Sequence, residues 1–172
     1  MIKLEAFTEK DFERLISWVD GKELLITIAG NYFSYPLTAH QLQTYLDDEK
    51  SYSFNIIDTD ENKIIGHAEI CRQGNAIFKI DKLLIGDKSS RGKGLCRSIM
   101  QALVDHAFTQ LHASIIELNV FAWNISAIKC YEKTGFVINA DKTSLFEVDN
   151  KKWTALNMTI EKRKIQHNAY SG

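Results

Sequence analysis

The stretch from Ala76 to Leu111, "AIFKIDKLLIGDKSSRGKGLCRSIMQALVDHAFTQL", restricts the fold more than any other part of the chain. Its first part ends in Leu83, Leu84 and Ile85, an apolar density that predicts a strand buried on both faces. A polar loop containing Gly92 and Gly94 follows. Beyond it Leu95, Ile99, Leu103 and Ala107 recur every four residues, with Ala102 filling in, which predicts an amphipathic helix. A buried strand running through a glycine loop into such a helix belongs to a layered domain of sheet and helices.

The flanks agree with that architecture. "IKLEAF" alternates as a strand, and "TEKDFERLISWVD" follows as a helix capped by Thr8 and closed by Gly21. "KELLITIAG" reads as a second helix ending at Gly30, and "TAHQLQTYLDDE" as a third, capped by Thr38. "SYSFNIID" and "KIIGHAEICR" form a hairpin around the turn cluster "TDEN". After the long helix come a strand, "SIIELNVFA", a helix from Asn124 to Gly135, and a closing hairpin around "VDNKKW". The expectation is a mixed α+β domain with a central, mostly antiparallel twisted sheet of about six to seven strands flanked by helices. One domain spans residues 1–165, followed by a polar, flexible tail at 166–172.

Bulk properties exclude several functions. With 172 residues and a formal net charge of −1, the chain has no global field to gather nucleic acid or an anionic membrane. No apolar run approaches the roughly 20 residues of a membrane helix, and the charged N-terminus is not a signal peptide. Cys71, Cys96 and Cys130 are odd in number and form no CxxC pair. They fit neither a disulfide framework nor a zinc site, and with scattered histidines they predict no metal and a cytoplasmic setting. Trp18, Trp123 and Trp153 are read as core or cleft packing rather than a base-stacking surface.

The loop "SSRGKGLC" is the candidate anion site. A glycine turn opening a helix presents free backbone N–H groups and the positive end of the helix dipole. Arg91 and Lys93 add charge. Gly86 stands one residue too far from Gly92 for a P-loop, and Arg97 occupies the third glycine position of a dinucleotide fingerprint, so ATP and NAD are disfavoured.

A second segment, "NISAIKCYEKTGF", has the form N-x-x-A-x-x-x-Y-x-x-x-G-F. With "RGKGLC" upstream it resembles the GNAT superfamily of acyl-CoA-dependent N-acetyltransferases, close to the ribosomal-protein N-acetyltransferase-like branch. Arg91, Gly94 and Cys96 match that family's [QR]-x-x-G-x-[GA] loop, with Cys96 in place of the usual Gly or Ala. "IIGHAEI" and "FTEKDFERLISW" lie in the family's order as well.

The resemblance implies a GNAT fold and direct transfer of acetyl from acetyl-CoA to a primary amine. It implies that the backbone of Arg91, Gly92, Lys93, Gly94, Leu95 and Cys96 holds the cofactor pyrophosphate. It further implies that the pantetheine pairs with Leu83, Leu84 and Ile85, that Asn124 contacts the cofactor, and that Tyr131 protonates the departing thiolate. A phenol, with a pKa near 10, is matched to that task. Glu69 and Asp81 are the candidates for taking the amine's proton, each with a salt bridge to Lys79 or Lys82 as its alternative. The acceptor is left open among a protein N-terminus, a polyamine and another small amine, and so is a homodimer through the final hairpin. A non-catalytic acyl-CoA-binding domain of the same fold is the alternative.

Overall fold

The computed structural model describes residues 1–163. The tail expected at 166–172 lies outside the described residues. Seven strands form one sheet in the order β1-β2-β3-β4-β5-β7-β6. They are β1 (Ile2–Ala6), β2 (Ser51–Asp58), β3 (Lys63–Gly74), β4 (Ile77–Ile85), β5 (Ile115–Phe121), β6 (Val137–Val148) and β7 (Lys151–Glu161). The helices are α1 (Phe12–Trp18), α2 (Lys22–Ala29), α3 (Ala39–Leu46), α4 (Cys96–Thr109) and α5 (Ile125–Thr134). Every strand pair is antiparallel except β4 with β5. A parallel pair needs a crossover, and the glycine loop with α4 supplies it.

The local signals account for most boundaries. Thr38 accepts the Gln41 N–H as the cap of α3, and Asn124 accepts the Ala127 N–H as the cap of α5. Gly135, at φ 111°, ends α5 in the left-handed conformation. Thr8 opens the first helical segment through its N–H, which donates to Asp11 Oδ2 at 2.8 Å, but a 3-10 turn precedes α1 and the helix stops at Trp18. Gly21 therefore caps α2 instead of closing α1.

Two apolar layers cover the sheet. One packs α4 and α5 against β2 to β5 and β7, with Ile99, Met100, Leu103, Val104 and Ala107 of α4 all buried. Ala102 lies on the flank of that stripe, because Met100 and Val104 point inward where a simple four-residue repeat leaves them out. Each large buried side chain contributes about 2 kcal/mol, so α4 is held by its packed face. The other layer gathers α1 to α3 around Phe12, Leu15, Leu25, Leu42, Tyr45 and Leu84. Leu84 in this layer, with Leu83 and Ile85 against the first, fulfils the expectation that the end of β4 is buried on both faces.

His67 of β3 is sealed in the second layer at 2% exposure. Its Nε2 lies 3.1 Å from Tyr45 Oη, the Phe7 ring packs against it, and its Nδ1 has no partner among the described residues. Burial, aided by the Lys82 charge, lowers its pKa to about 3. The unfolded chain therefore binds more protons than the folded one between that value and about 6.5, and stability falls as the pH is lowered through this window. Denaturant titrations from pH 7 to pH 4 are expected to show a His67 contribution of about 1.4 kcal/mol per unit below 6.5. In His67→Gln that part of the slope disappears; an unchanged slope contradicts the assignment.

Candidate active site

The site begins where β4 leaves β5. The two strands pair only through Ile77, Phe78 and Lys79 with Ile115, Ile116 and Glu117, although both run on for several residues. A bulge in β4 accompanies the divergence. Glu69 pairs with Asp81 and His67 with Leu84, so Lys82 and Leu83 together oppose the single residue Ala68. Lys82 takes φ 50°, a left-handed angle that is uncommon for lysine.

The bulge has a chemical consequence. Neighbours in a regular strand point to opposite faces, yet Asp81 and Lys82 both reach the face that carries Glu69. Lys82, 4% exposed, is ion-paired with Glu69, 2% exposed, and its ammonium sits 4.1 Å from the centre of the Tyr32 ring. Asp81 keeps partial access to solvent, paired with Lys79 at 2.9 Å and accepting the Lys82 N–H at 2.9 Å. Both carboxylates thus make the ion pairs named as their alternative, and they differ in access. Glu69 is enclosed, whereas Asp81 lines an open cleft of about 330 Å³.

That cleft is walled by Ile26, Ile28, Tyr32, Phe121 and Phe146, with Asn119 opposite Asp81. Phe121 anchors an aromatic group, its ring 5.4 Å from Phe146 and 5.1 Å from Trp153, with Trp123 stacked at 6.0 Å. The cleft lies where α2 and the last hairpin approach the sheet.

The glycine loop lies beyond the far end of β4. Gly86 packs under Trp18, whose ring occupies the space a Cβ would need, so α1 presses on the strand end. Asp87 then gathers Lys63, Ser89 and Ser90, and these donors, Lys63 foremost, hold its carboxyl far below the usual range. Arg91 turns back, its Nε donating to the Ile85 carbonyl at 2.9 Å, and Lys93 pairs with Glu61 at 2.9 Å. Gly92 and Gly94, at φ 74° and 73°, bend the chain into α4. Among the described residues no backbone carbonyl takes up the N–H groups from Gly92 to Cys96. Free amides at the start of a 14-residue helix make a receptor for a phosphate.

Tyr131 lies on α5, packed against the first layer near Phe136. Burial pushes its phenol up to about 12, so it remains protonated at any physiological pH. The cysteines require a correction. Cys96 and Cys130 are joined in a disulfide, 34 residues apart, and Cys71 is the free thiol. Nothing in the spacing encodes this bond; it follows from the close passage of α4 and α5, with the two Cα atoms 6.4 Å apart.

The family model described as the acetyltransferase (GNAT) family matches residues 18–136. The chain belongs to that family. GNAT membership supplies the activity: acetyl transfer from acetyl-CoA to an amine. An N-acetyltransferase 9-like protein of Nematostella vectensis is 22% identical over 92% of this chain and 85% of its own length. A probable spermine N(1)-acetyltransferase of Bacillus subtilis is 36% identical over 36% of this chain and 40% of its own. The spermidine N-acetyltransferase of Vibrio cholerae, solved with CoA and spermine, shares the fold with a TM-score of 0.78 at 20% identity, over 93% of this chain and 95% of that one. The aminoglycoside acetyltransferase AAC(6')-Ib, solved with coenzyme A, gives 0.70 at 21%, over 94% and 95%. No helix among the described residues is long and apolar enough to cross a membrane.

Lys82, Tyr32, Asn119 and Phe146 were not singled out as site residues by sequence reasoning, and Lys82 entered it only as a salt-bridge partner. Lys82 did carry a signal, since it falls on the buried phase of the alternation Phe78, Ile80, Lys82, Leu84. Losing one partner of a buried ion pair strands the other. Lys82→Met is therefore expected to lower stability by about 3 to 5 kcal/mol, and Glu69→Gln with Lys82→Met to recover most of it. Urea unfolding of both variants checks this; a double variant no better than the single contradicts it.

Proposed function

We propose that acetyl-CoA and the acceptor amine meet in the gap between β4 and β5, with Tyr131 as general acid and Asp81 as the group that receives the amine. The observation that carries this reading is the contrast between the carboxylates: Asp81 opens onto the aromatic cleft, while Glu69 is consumed by Lys82. The amides from Gly92 to Cys96 hold the pyrophosphate. Arg91 shapes the strand end through the Ile85 carbonyl, and its charge adds to the local field. Leu83, Leu84 and Ile85 lie beyond the last pair with β5, where backbone groups other than the Ile85 carbonyl, which Arg91 takes up, are left for the pantetheine. Asn124 acts through α5, whose first turn it caps.

In the step itself, an uncharged amine attacks the thioester carbonyl while its proton passes toward Asp81 directly or through water. The C–S bond breaks, and the Tyr131 phenol donates its proton to the departing sulfur. Holding both substrates on one scaffold removes much of the entropic barrier. A phenol raised to about 12 is a weak acid at neutral pH but stays loaded for donation.

The cleft also bears on the acceptor. Its charged lining consists of Lys79 and Asp81, which neutralise one another, and the rest is largely apolar and aromatic. Such a lining suits one amine carried on an apolar or aromatic body, including a peptide N-terminus, better than a chain of several cations. The molecules bound with coenzyme A in the structural neighbours, spermine in the spermidine N-acetyltransferase and kanamycin in AAC(6')-Ib, are polycations.

Tyr131→Phe is expected to lower kcat at least tenfold with little change in acetyl-CoA affinity, within the range of general acid catalysis. Asp81→Asn is expected to raise the acceptor KM and lower kcat/KM, leaving the donor KM in place. Thiol release measured with a panel of aromatic monoamines, short peptides and spermine reads all three points. Full turnover by Tyr131→Phe at saturating donor, or a preference for spermine, contradicts the corresponding part.

A further inference from the structure

We propose that Cys96 and Cys130 form a reversible dithiol–disulfide site whose oxidised form holds the donor loop in its binding shape. Cys96 is the first residue of α4 and the last of the loop; Cys130 is the residue before Tyr131 on α5. The bond therefore joins the amides assigned to the pyrophosphate to the helix that carries the general acid. The opposite end of the loop is fastened without covalent help, by Arg91 on the Ile85 carbonyl and by the cluster around Asp87. Between these ends stand Gly92 and Gly94, each with nothing within 4 Å of the position a Cβ would occupy. Between them, among the described residues, the segment is held only by the exposed Lys93–Glu61 pair, a weak tie, so it takes its shape mainly from its fastened ends.

Both cysteines are only half-buried, which leaves them within reach of a small thiol or disulfide. In the oxidising direction the Cys96 thiolate, placed at the positive end of α4, attacks one sulfur of a low-molecular-weight disulfide. A mixed disulfide forms and one external thiolate leaves. The Cys130 thiolate then attacks Cys96 Sγ, the Cys96–Cys130 bond forms, and the second external thiolate leaves. Two cysteine thiols are oxidised, one external disulfide is reduced to two thiols, and the two cysteine protons pass to solvent or to the released thiolates. Excess external thiol runs the exchange backward.

The inference rests on the reading of residues 91–96 as the donor loop. A loop already in its bound shape loses less freedom on binding, so the oxidised protein is expected to bind acetyl-CoA roughly threefold to tenfold more tightly than the reduced one. The kcat at saturating donor is expected to change by less than about twofold, since the substrates then hold the loop themselves.

The full chain is oxidised with glutathione disulfide or reduced with dithiothreitol, and the state is verified by alkylation and intact mass. Calorimetric titration with acetyl-CoA then follows. The expected result is tighter binding by the oxidised form, loss of that difference in Cys130→Ser, and its persistence in Cys71→Ser. Equal affinity in the two verified states overturns the proposal, even where the melting temperature differs, because the bond is then purely structural. Failure of glutathione disulfide to produce the bond overturns it also. Absence of acetyl-CoA binding in both states overturns the donor-loop reading and this proposal with it, which distinguishes that failure from a failure of the redox coupling alone.

Discussion

The bulge at Lys82 is the constraint on which the rest of the site depends. One extra residue in β4 against β3 lets Asp81 and Lys82 reach the same face, and it accompanies the departure of β4 from β5 after three pairs. Lys82 is then enclosed, and an enclosed ammonium demands a partner. Glu69 supplies the charge and the Tyr32 and Tyr45 rings supply polarisable faces. That solution keeps Glu69 out of the cleft and leaves Asp81 as the carboxylate that lines it. The backbone irregularity, the buried ion pair and the unequal access of the two carboxylates are one arrangement.

The donor and acceptor halves are built by different means. In the proposed reading the groups that recognise the donor are main-chain amides, and the side chains serve to shape the path: Trp18 over Gly86, Lys63 and two serines on Asp87, Arg91 on a strand carbonyl. On the acceptor side the lining is side chain, drawn from α2, the two central strands and the last hairpin. On that reading main-chain recognition ties the donor to the fold, while a cleft made of side chains changes with each substitution in it.

This difference explains what was legible in the sequence. The glycine loop, the helix behind it and the N-x-x-A-x-x-x-Y segment are local patterns, so their elements, order and family could be read directly. The caps at Thr38 and Asn124 were equally local. The stripe on α4 was read through Ala102 because a four-residue step overlooks the wider inward face that includes Met100 and Val104. The Cys96–Cys130 bond and the pairing of Lys82 with Glu69 join residues far apart in sequence, and only the crossing of α4 with α5 and the registers of β3 and β4 bring them together. Arg91 illustrates a subtler limit. Its charge is visible in the sequence, but the bond from its Nε to the Ile85 carbonyl is not.

The central claim is that the acetyl group crosses directly from sulfur to nitrogen in the gap between β4 and β5, with both substrates bound at once. Initial rates measured while both substrate concentrations are varied test it most directly. Lines that intersect in the double-reciprocal plot, with no acetyl group retained on the protein after incubation with acetyl-CoA alone, are the predicted result. Parallel lines together with a stable acetyl-enzyme would contradict the account.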